Sequence, residues 1–383
     1  MGDTSLSEVQ VSVIIPAYNA GRYIASTLQS VTGQTHANLE ILIIDDGSTD
    51  ETPDICRRIA ADDPRIRIIS TGNRGVAAAR NIGIEASTSD YIAFVDADDL
   101  WHPSYVETLL SALHPLPPDW GAVYALHRII DSEGYCTRAS SGLSARGTVL
   151  ARHLIFRFVG NGSGLMIRRA VYDEIGGYDS AYAEHGIGGC EDLDYELRVA
   201  EAFKIEAVPL GLVGYRIHSA AMSSDSSRMA RSLLAVYEGA IARNLQLPRW
   251  VVDCALASVH LYAFSKFIAA KNWKNAANSL KQIFRFSPRL AGIVFFGLIL
   301  SKLRRAARRA WSKLVTTKNN LMKFEQVDPQ APLGGGLSSF RTEKLLKRLS
   351  EVDRALDISH HQRRSEMSFT NNAPLGNGDP FAL

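Results

Sequence analysis

The sequence predicts an α/β protein built on a doubly wound, mostly parallel sheet with helices on both faces, followed by an α-helical C-terminal region. Three observations predict it. Short apolar runs alternate with helix-period segments in the order βαβαβαβ. The strands are continuous apolar runs, as expected where helices cover both faces of a sheet. Polar clusters follow the strands on one rim: Pro16-Ala17-Tyr18-Asn19 after the first, Asp45-Asp46 after the second, Asp96-Ala97-Asp98-Asp99 after the fourth. Ligands of such sheets bind beyond the carboxyl ends of the strands.

Each element has its own signal. Residues 11–15 (VSVII) form a strand ended by Pro16. Residues 22–31 carry Tyr23, Ile24, Thr27, Leu28 and Val31 at helical spacing. Residues 39–44 (LEILII) are the second strand. Residues 51–61 read as a helix opened by the capping-box spacing of Ser48 and Glu51. Residues 66–69, 75–86 and 91–95 read as strand, helix and strand. Residues 121–138 form a hairpin around a DSEG turn, and 164–167 is a further strand. A glycine loop, 186–189, leads into the helix EDLDYELRVAEAF, and 213–217 is a strand before HSAAMSSD.

After residue 228 the pattern is helical, with an antiparallel pair at 256–268 and 273–284. Residues 290–300 (LAGIVFFGLIL) precede a basic run ending at residue 313. From residue 324 the polar, Gly-, Ser- and Asn-rich composition predicts a disordered tail interrupted by one helix at 342–356. The expected organisation is therefore a flexible 1–10, a sheet domain over 11–228, a helical region over 229–323 and a polar tail over 324–383.

The chain has 383 residues, 46% of them hydrophobic and 21% charged, which supports a packed core. Its net charge of +2 predicts no nucleic-acid partner. The four cysteines are far apart in sequence, which gives no zinc motif and fits a reducing, cytoplasmic setting. The opening MGDTSLSEVQ has no apolar signal-peptide core.

The acidic cluster DADD needs neutralising. Two like charges about 4 Å apart repel by about 4 kcal/mol at an effective dielectric near 20. Carboxylates approach a diphosphate only through a hard divalent cation such as Mg²⁺ or Mn²⁺. The alternative is a solvated turn with Asp99 as a helix cap, and its place on the ligand rim favours the cation. Asp45-Asp46-Gly47-Ser48 taken alone reads first as a turn and cap, with a nucleobase contact as the functional alternative. Glu191 and Asp192 suit a helix first turn, and a general base on a rigid helix end beside a mobile loop is the functional reading. Asp194 and Arg198 have the spacing of a surface pair. Cys190 reads as a packing residue. His218 is either structural or a metal or diphosphate contact.

VSVIIPAYNAGRYIASTLQSVTGQT, LEILIIDDGSTDET, NRGVAAARNIGIEAS, YIAFVDADDLWHP, EDLDYELR and YRIHSAAMSS, in this order, resemble the family 2 glycosyltransferases of the GT-A fold, over roughly residues 11–225. The resemblance implies an inverting transfer from a nucleotide-diphosphate sugar. Pro16, Ala17 and Tyr18 match its nucleobase segment. Asp46 matches the uracil reader, with Asp45 beside it, and Arg80 a nucleotide-side position. Asp96 matches the ribose side of the DxD motif and Asp98 its metal ligand, with Asp99 as substitute. Asp192 matches the base and Glu191 its neighbour, and His218 a metal or phosphate contact.

The implied donor is a UDP-sugar, the cofactor Mn²⁺ or Mg²⁺, and the acceptor a hydroxyl, with a lipid-linked saccharide as candidate. No QxxRW motif and no series of long membrane spans appears, which favours single additions over polymer synthesis. A non-catalytic nucleotide-sugar-binding scaffold is the alternative, and the complete ED and DxD sets count against it. A nucleotidyltransferase would need a Gly-rich phosphate loop that PAYNAGRY is not. Residues 290–300 span about 16 Å as a helix, short of a ~30 Å hydrocarbon core. With the basic run they predict peripheral attachment at 290–313 to the cytoplasmic leaflet, against a buried helix with a solvated tail.

Overall fold

The computed structural model describes residues 5–139, 143–288, 322–331, 333 and 340–371. Strands β1 (Val11–Ala17), β2 (Leu39–Asp45), β3 (Ile66–Ser70) and β4 (Tyr91–Phe94) pair in parallel in the order β3-β2-β1-β4. Helices α1 (Ile24–Thr32), α2 (Thr52–Asp62) and α3 (Val76–Ala86) connect them. β1 and β2 are buried along their whole length, the physical reason they read as unbroken apolar runs. Successive side chains of a strand point to opposite faces. Ile14, Leu42 and Phe94 therefore fill one core, and Val13, Ile15 and Ile41 the other.

Beyond β4 the sheet becomes mixed. β8 (Leu165–Arg168) runs antiparallel to β4, followed by β6 (Trp120–Ile130), β9 (Lys204–Arg216) and the two-residue β5 (Leu100–Trp101). β7 (Cys136–Ala139) is the hairpin partner of β6. β9 is far longer than the 213–217 apolar run. Pro209 and Gly211 lie just before that run and break the apolar pattern, and they sit where the β6–β9 register shifts, as proline in a strand requires.

The capping box expected at α2 does not form. Ser48 Oγ instead accepts the Asn19 N–H, and Thr52 N–H donates to Asp50 Oδ1. The serine is used to tie the β1 loop to the β2 loop.

Helices α8 (Glu191–Ala202), α9 (Ser226–Arg243), α10 (Arg249–Ala269) and α11 (Trp273–Phe286) follow. Leu233, Val236, Tyr237 and Val251 share one core with Ile14 and Phe94. The change at residue 228 is one of element type, not of core. Within the segment read as a polar tail, the helix expected at 342–356 forms, and described residues pack on the sheet domain. Phe324 is buried, and Arg128 Nη2 donates to the Ala331 carbonyl at 2.6 Å. The C-terminal helix, α12 (Phe340–Asn371), buries Leu349 and Asp353. Asp353 accepts from the Ala151 N–H and from Arg152 Nε, so the polar composition here serves docking. Residues 290–313 lie outside the described residues.

Candidate active site

A cleft of about 1640 Å³ opens at the carboxyl ends of β1, β2 and β4, with α8, α9 and α10 on its other walls. Pro16, Ala17 and Tyr18 line it from the end of β1, and Tyr18 is 51% exposed, free to stack on a planar ligand. Asp46 lines it from the end of β2 but is nearly buried. Its two oxygens accept the Arg74 and Gly75 N–H groups, both at 2.8 Å. A carboxylate has about four lone-pair sites, so Asp46 shapes the 73–75 loop and keeps capacity for a ligand N–H. Gly47 has φ +78°, and a Cβ there would lie 2.9 Å from the Asn73 nitrogen. Asp45 does not line the cleft: its Oδ1 accepts the Ser48 N–H, which is the turn role.

The three carboxylates after β4 go three ways. Asp96 pairs with Arg80 Nη2 at 2.5 Å, and Arg80 stacks over Tyr178. Asp98 Oδ2 lies 2.8 Å from His218 Nε2, and the His218 ring packs on Tyr23. Asp99 points away from the cleft and is fully buried. It accepts from Ser163 Oγ at 2.6 Å and from the Arg216 N–H at 2.8 Å. Burial and the neighbouring Asp98 and Asp96 push Asp99 well above the usual carboxylate range. The repulsion that DADD implies is thus relieved by a guanidinium, an imidazole and burial.

The opposite wall carries the ED pair. Cys190, Glu191 and Asp192 open α8 behind the glycine loop. Glu191 Oε2 accepts the Gly189 N–H at 2.6 Å, which fixes that loop. Asp194 pairs with Arg198 at the expected i, i+4 spacing, but Asp194 is buried rather than at the surface, and Arg243 joins the pair. Cys190 is a buried thiol pushed up to about 12, chiefly by burial, in keeping with packing. Asp192 faces the cleft with no ion-pair partner among the described residues. Burial, then Glu196, push it up to about 7, with Arg80 opposing.

The model of the family described as glycosyl transferase family 2 matches residues 12–176. An uncharacterized glycosyltransferase, alr2836, of Nostoc sp. is 31% identical over 240 residues, covering 58% of this chain and 71% of the relative. The chain belongs to glycosyltransferase family 2. A second relative, the uncharacterized glycosyltransferase YibD of Escherichia coli, is 46% identical over 102 residues, 27% of this chain and 30% of that protein. Among solved structures, S. aureus TarS 1–349 superposes with a TM-score of 0.54 at 14% identity, covering 74% of this chain and 82% of TarS. The mannosyltransferase PcManGT of Pyrobaculum calidifontis, solved with GDP-Man and Mn²⁺, gives 0.53 at 20% identity over 79% and 83%. These share the GT-A-like fold: a curled mixed sheet with helices.

A family 2 glycosyltransferase implies a divalent cation, and the side chains at one point of the cleft fit it. Asp98 and His218 both line the cleft within contact of one another. Hard cations in nucleotide sites commonly take one or two protein ligands, with phosphate oxygens and water completing the shell. Among the described residues no three His, Cys, Asp or Glu side chains form a metal cluster, so the protein alone offers an incomplete shell. Asp99 does not fit, because both its oxygens are turned inward and already accept hydrogen bonds.

Sequence reading missed several cleft residues of this glycosyltransferase. Glu196 lines the cleft one turn after Asp192, and its Oε2 lies 3.0 Å from His153 Nε2 of α5 (Leu150–Phe156), both buried. Burial raises Glu196 and brings His153 down to about 3, so the imidazole favours its neutral form. The i, i+4 spacing of Asp192 and Glu196 was a usable signal. Arg157, Arg228 and Tyr262 also line the cleft. They come from distant segments that only the fold brings together.

Proposed function

We propose that this family 2 member is an inverting, metal-dependent transferase. It moves a sugar from a UDP-sugar to a hydroxyl acceptor in bacterial cell-surface polysaccharide or glycolipid synthesis. The observation that carries this reading is Asp192: a carboxylate facing the cleft opposite Asp96 and Asp98, held near pKa 7 by burial and Glu196. A general base works best when its pKa lies near the operating pH. Asp192 takes the proton of the acceptor hydroxyl as the oxygen attacks the anomeric carbon. The diphosphate leaves from the opposite face, and one displacement inverts the configuration.

Tyr18 would stack on the nucleobase, with Pro16 and Ala17 beside it, and Asp46 would accept a uracil N–H. Asp96, oriented by Arg80, would take a ribose hydroxyl. Asp98 and His218 would hold Mn²⁺ or Mg²⁺. When bound, such an ion neutralises charge developing on the leaving diphosphate.

TarS has been solved with UDP-GlcNAc and PcManGT with GDP-Man, so the base must be tested on this chain. Calorimetry with Mn²⁺ present should show UDP binding at least tenfold tighter than GDP, about 1.4 kcal/mol. Equal or tighter GDP binding would remove Asp46 as a uracil reader.

A further inference from the structure

We infer that the outward face of α11 docks on an anionic lipid surface. At about 100° per residue, Trp273 and Phe284 lie about 20° apart on the helix and about 16 Å apart along it. They are 64% and 47% exposed. Lys274, Lys281 and Arg285 are exposed on the adjoining arc, and Lys271 sits just before the helix. The inner face, Ala276, Ser279 and Ile283, is buried, with Ala276 and Ile283 packed among Phe264 and Phe267 of α10. The outer face is thus an aromatic edge beside a cationic edge.

Charge complementarity selects the occupant. α11 carries no Asp or Glu, and the sequence has none between Asp253 and Glu325. A polyanionic lipid surface attracts such a face, with aromatic rings at headgroup depth and long cations reaching out to the phosphates. The apolar face of α10, by contrast, is spent on the protein cores through Val251, Val259, Phe264 and Phe267. α10 also lines the cleft with Tyr262. A docked α11 would therefore hold the cleft wall one helix spacing from the lipid, about 10 Å. An acceptor hydroxyl on a lipid headgroup would then lie within reach, which deepens the proposed transfer. The docking itself can be tested without any catalytic readout, so either can fail alone.

The test is flotation of the full chain with phosphatidylcholine vesicles, with and without phosphatidylglycerol. The chain is expected to float with the anionic vesicles and not with phosphatidylcholine alone, and to release as salt rises. Lys274→Gln/Lys281→Gln/Arg285→Gln should lower the partition about 100-fold. Trp273→Ala/Phe284→Ala should lower it at least tenfold. Both sets are exposed, and thermal melting checks that each variant is folded. Failure of the wild-type chain to float overturns the inference, as do folded variants that float as well as wild type. A wild-type dimer that the aromatic double substitution dissociates, with lipid partition unchanged, would instead make this face a self-interface.

Discussion

Each carboxylate of DADD meets a partner of its own, whereas in EDLDYE Asp192 faces the cleft with no ion-pair partner among the described residues. Asp96 has Arg80, Asp98 has His218, and Asp99 is buried under Ser163 and the Arg216 backbone. On α8, Glu191 and Asp194 are likewise occupied, by Gly189 N–H and by two arginines. Asp192 instead sits beside Glu196 in a desolvated pocket and rises to about 7. Similar acidic strings thus acquire different chemistry. Carboxylates held by a neighbouring side chain suit binding, and one without an ion-pair partner in a desolvated site suits proton transfer.

Removing Asp192 should give the largest effect. Asp192→Asn keeps shape and helix start but takes no proton, so transfer should fall 10²–10⁴-fold, about 3–5 kcal/mol of barrier. UDP affinity with Mn²⁺ should be unchanged, measured by calorimetry. Donor hydrolysis, with water in place of the acceptor, reads the same step. The stability effect has the opposite sign. A carboxyl whose folded pKa is raised contributes stability below its unfolded pKa near 4 and loses it as pH rises through about 7. Asp192→Asn should therefore melt higher than wild type at pH 8, by a few kcal/mol at most because the site is partly open to solvent. The difference should vanish near pH 4. Full activity in this variant, with a dead Asp194→Asn, would move the base.

The binding side breaks more gently. Asp98→Ala should weaken UDP at least tenfold with Mn²⁺ present and leave the Mn²⁺-free affinity unchanged, since Asp98 would act through the cation. An unchanged response to Mn²⁺ would shift the cation away from Asp98 and His218.

The parallel half of the sheet was legible because its strands are buried on both faces and its rim carries punctuated polar clusters. β9 was only half legible, since Pro209 and Gly211 disguise a strand that tolerates them at a register shift. The rim motifs located most of the cleft, but spacing could not say which way each side chain turns. Asp99 and Asp45 share strings with cleft-lining neighbours, yet both serve the scaffold. Arg157, Arg228 and Tyr262 were invisible because helices distant in sequence bring them to the wall. The segment from residue 324 read as tail because its polar groups satisfy partners on the sheet and α5, a contact composition cannot reveal.

The smallest effect tests why Asp192 titrates so high. In the free enzyme, kcat/KM should rise with pH through about 7 as Asp192 loses its proton. Besides burial, Glu196 and Glu191 on α8 raise it, while Arg80 of α3 and the Leu193 N–H lower it. His153 of α5, Tyr178 and Tyr262 of α10 also lie within electrostatic reach. Glu196 is one turn from Asp192, so the two carboxyls oppose each other's ionisation. Glu196→Gln keeps a hydrogen-bonding partner for His153 and removes the competing charge. The acid limb should move down by up to about one unit, with the high-pH plateau and UDP affinity kept. A limb that stays near 7 would mean that burial alone tunes Asp192 and that Glu196 only packs against His153. A collapsed plateau with unchanged melting would instead give Glu196 a direct part in the proton transfer.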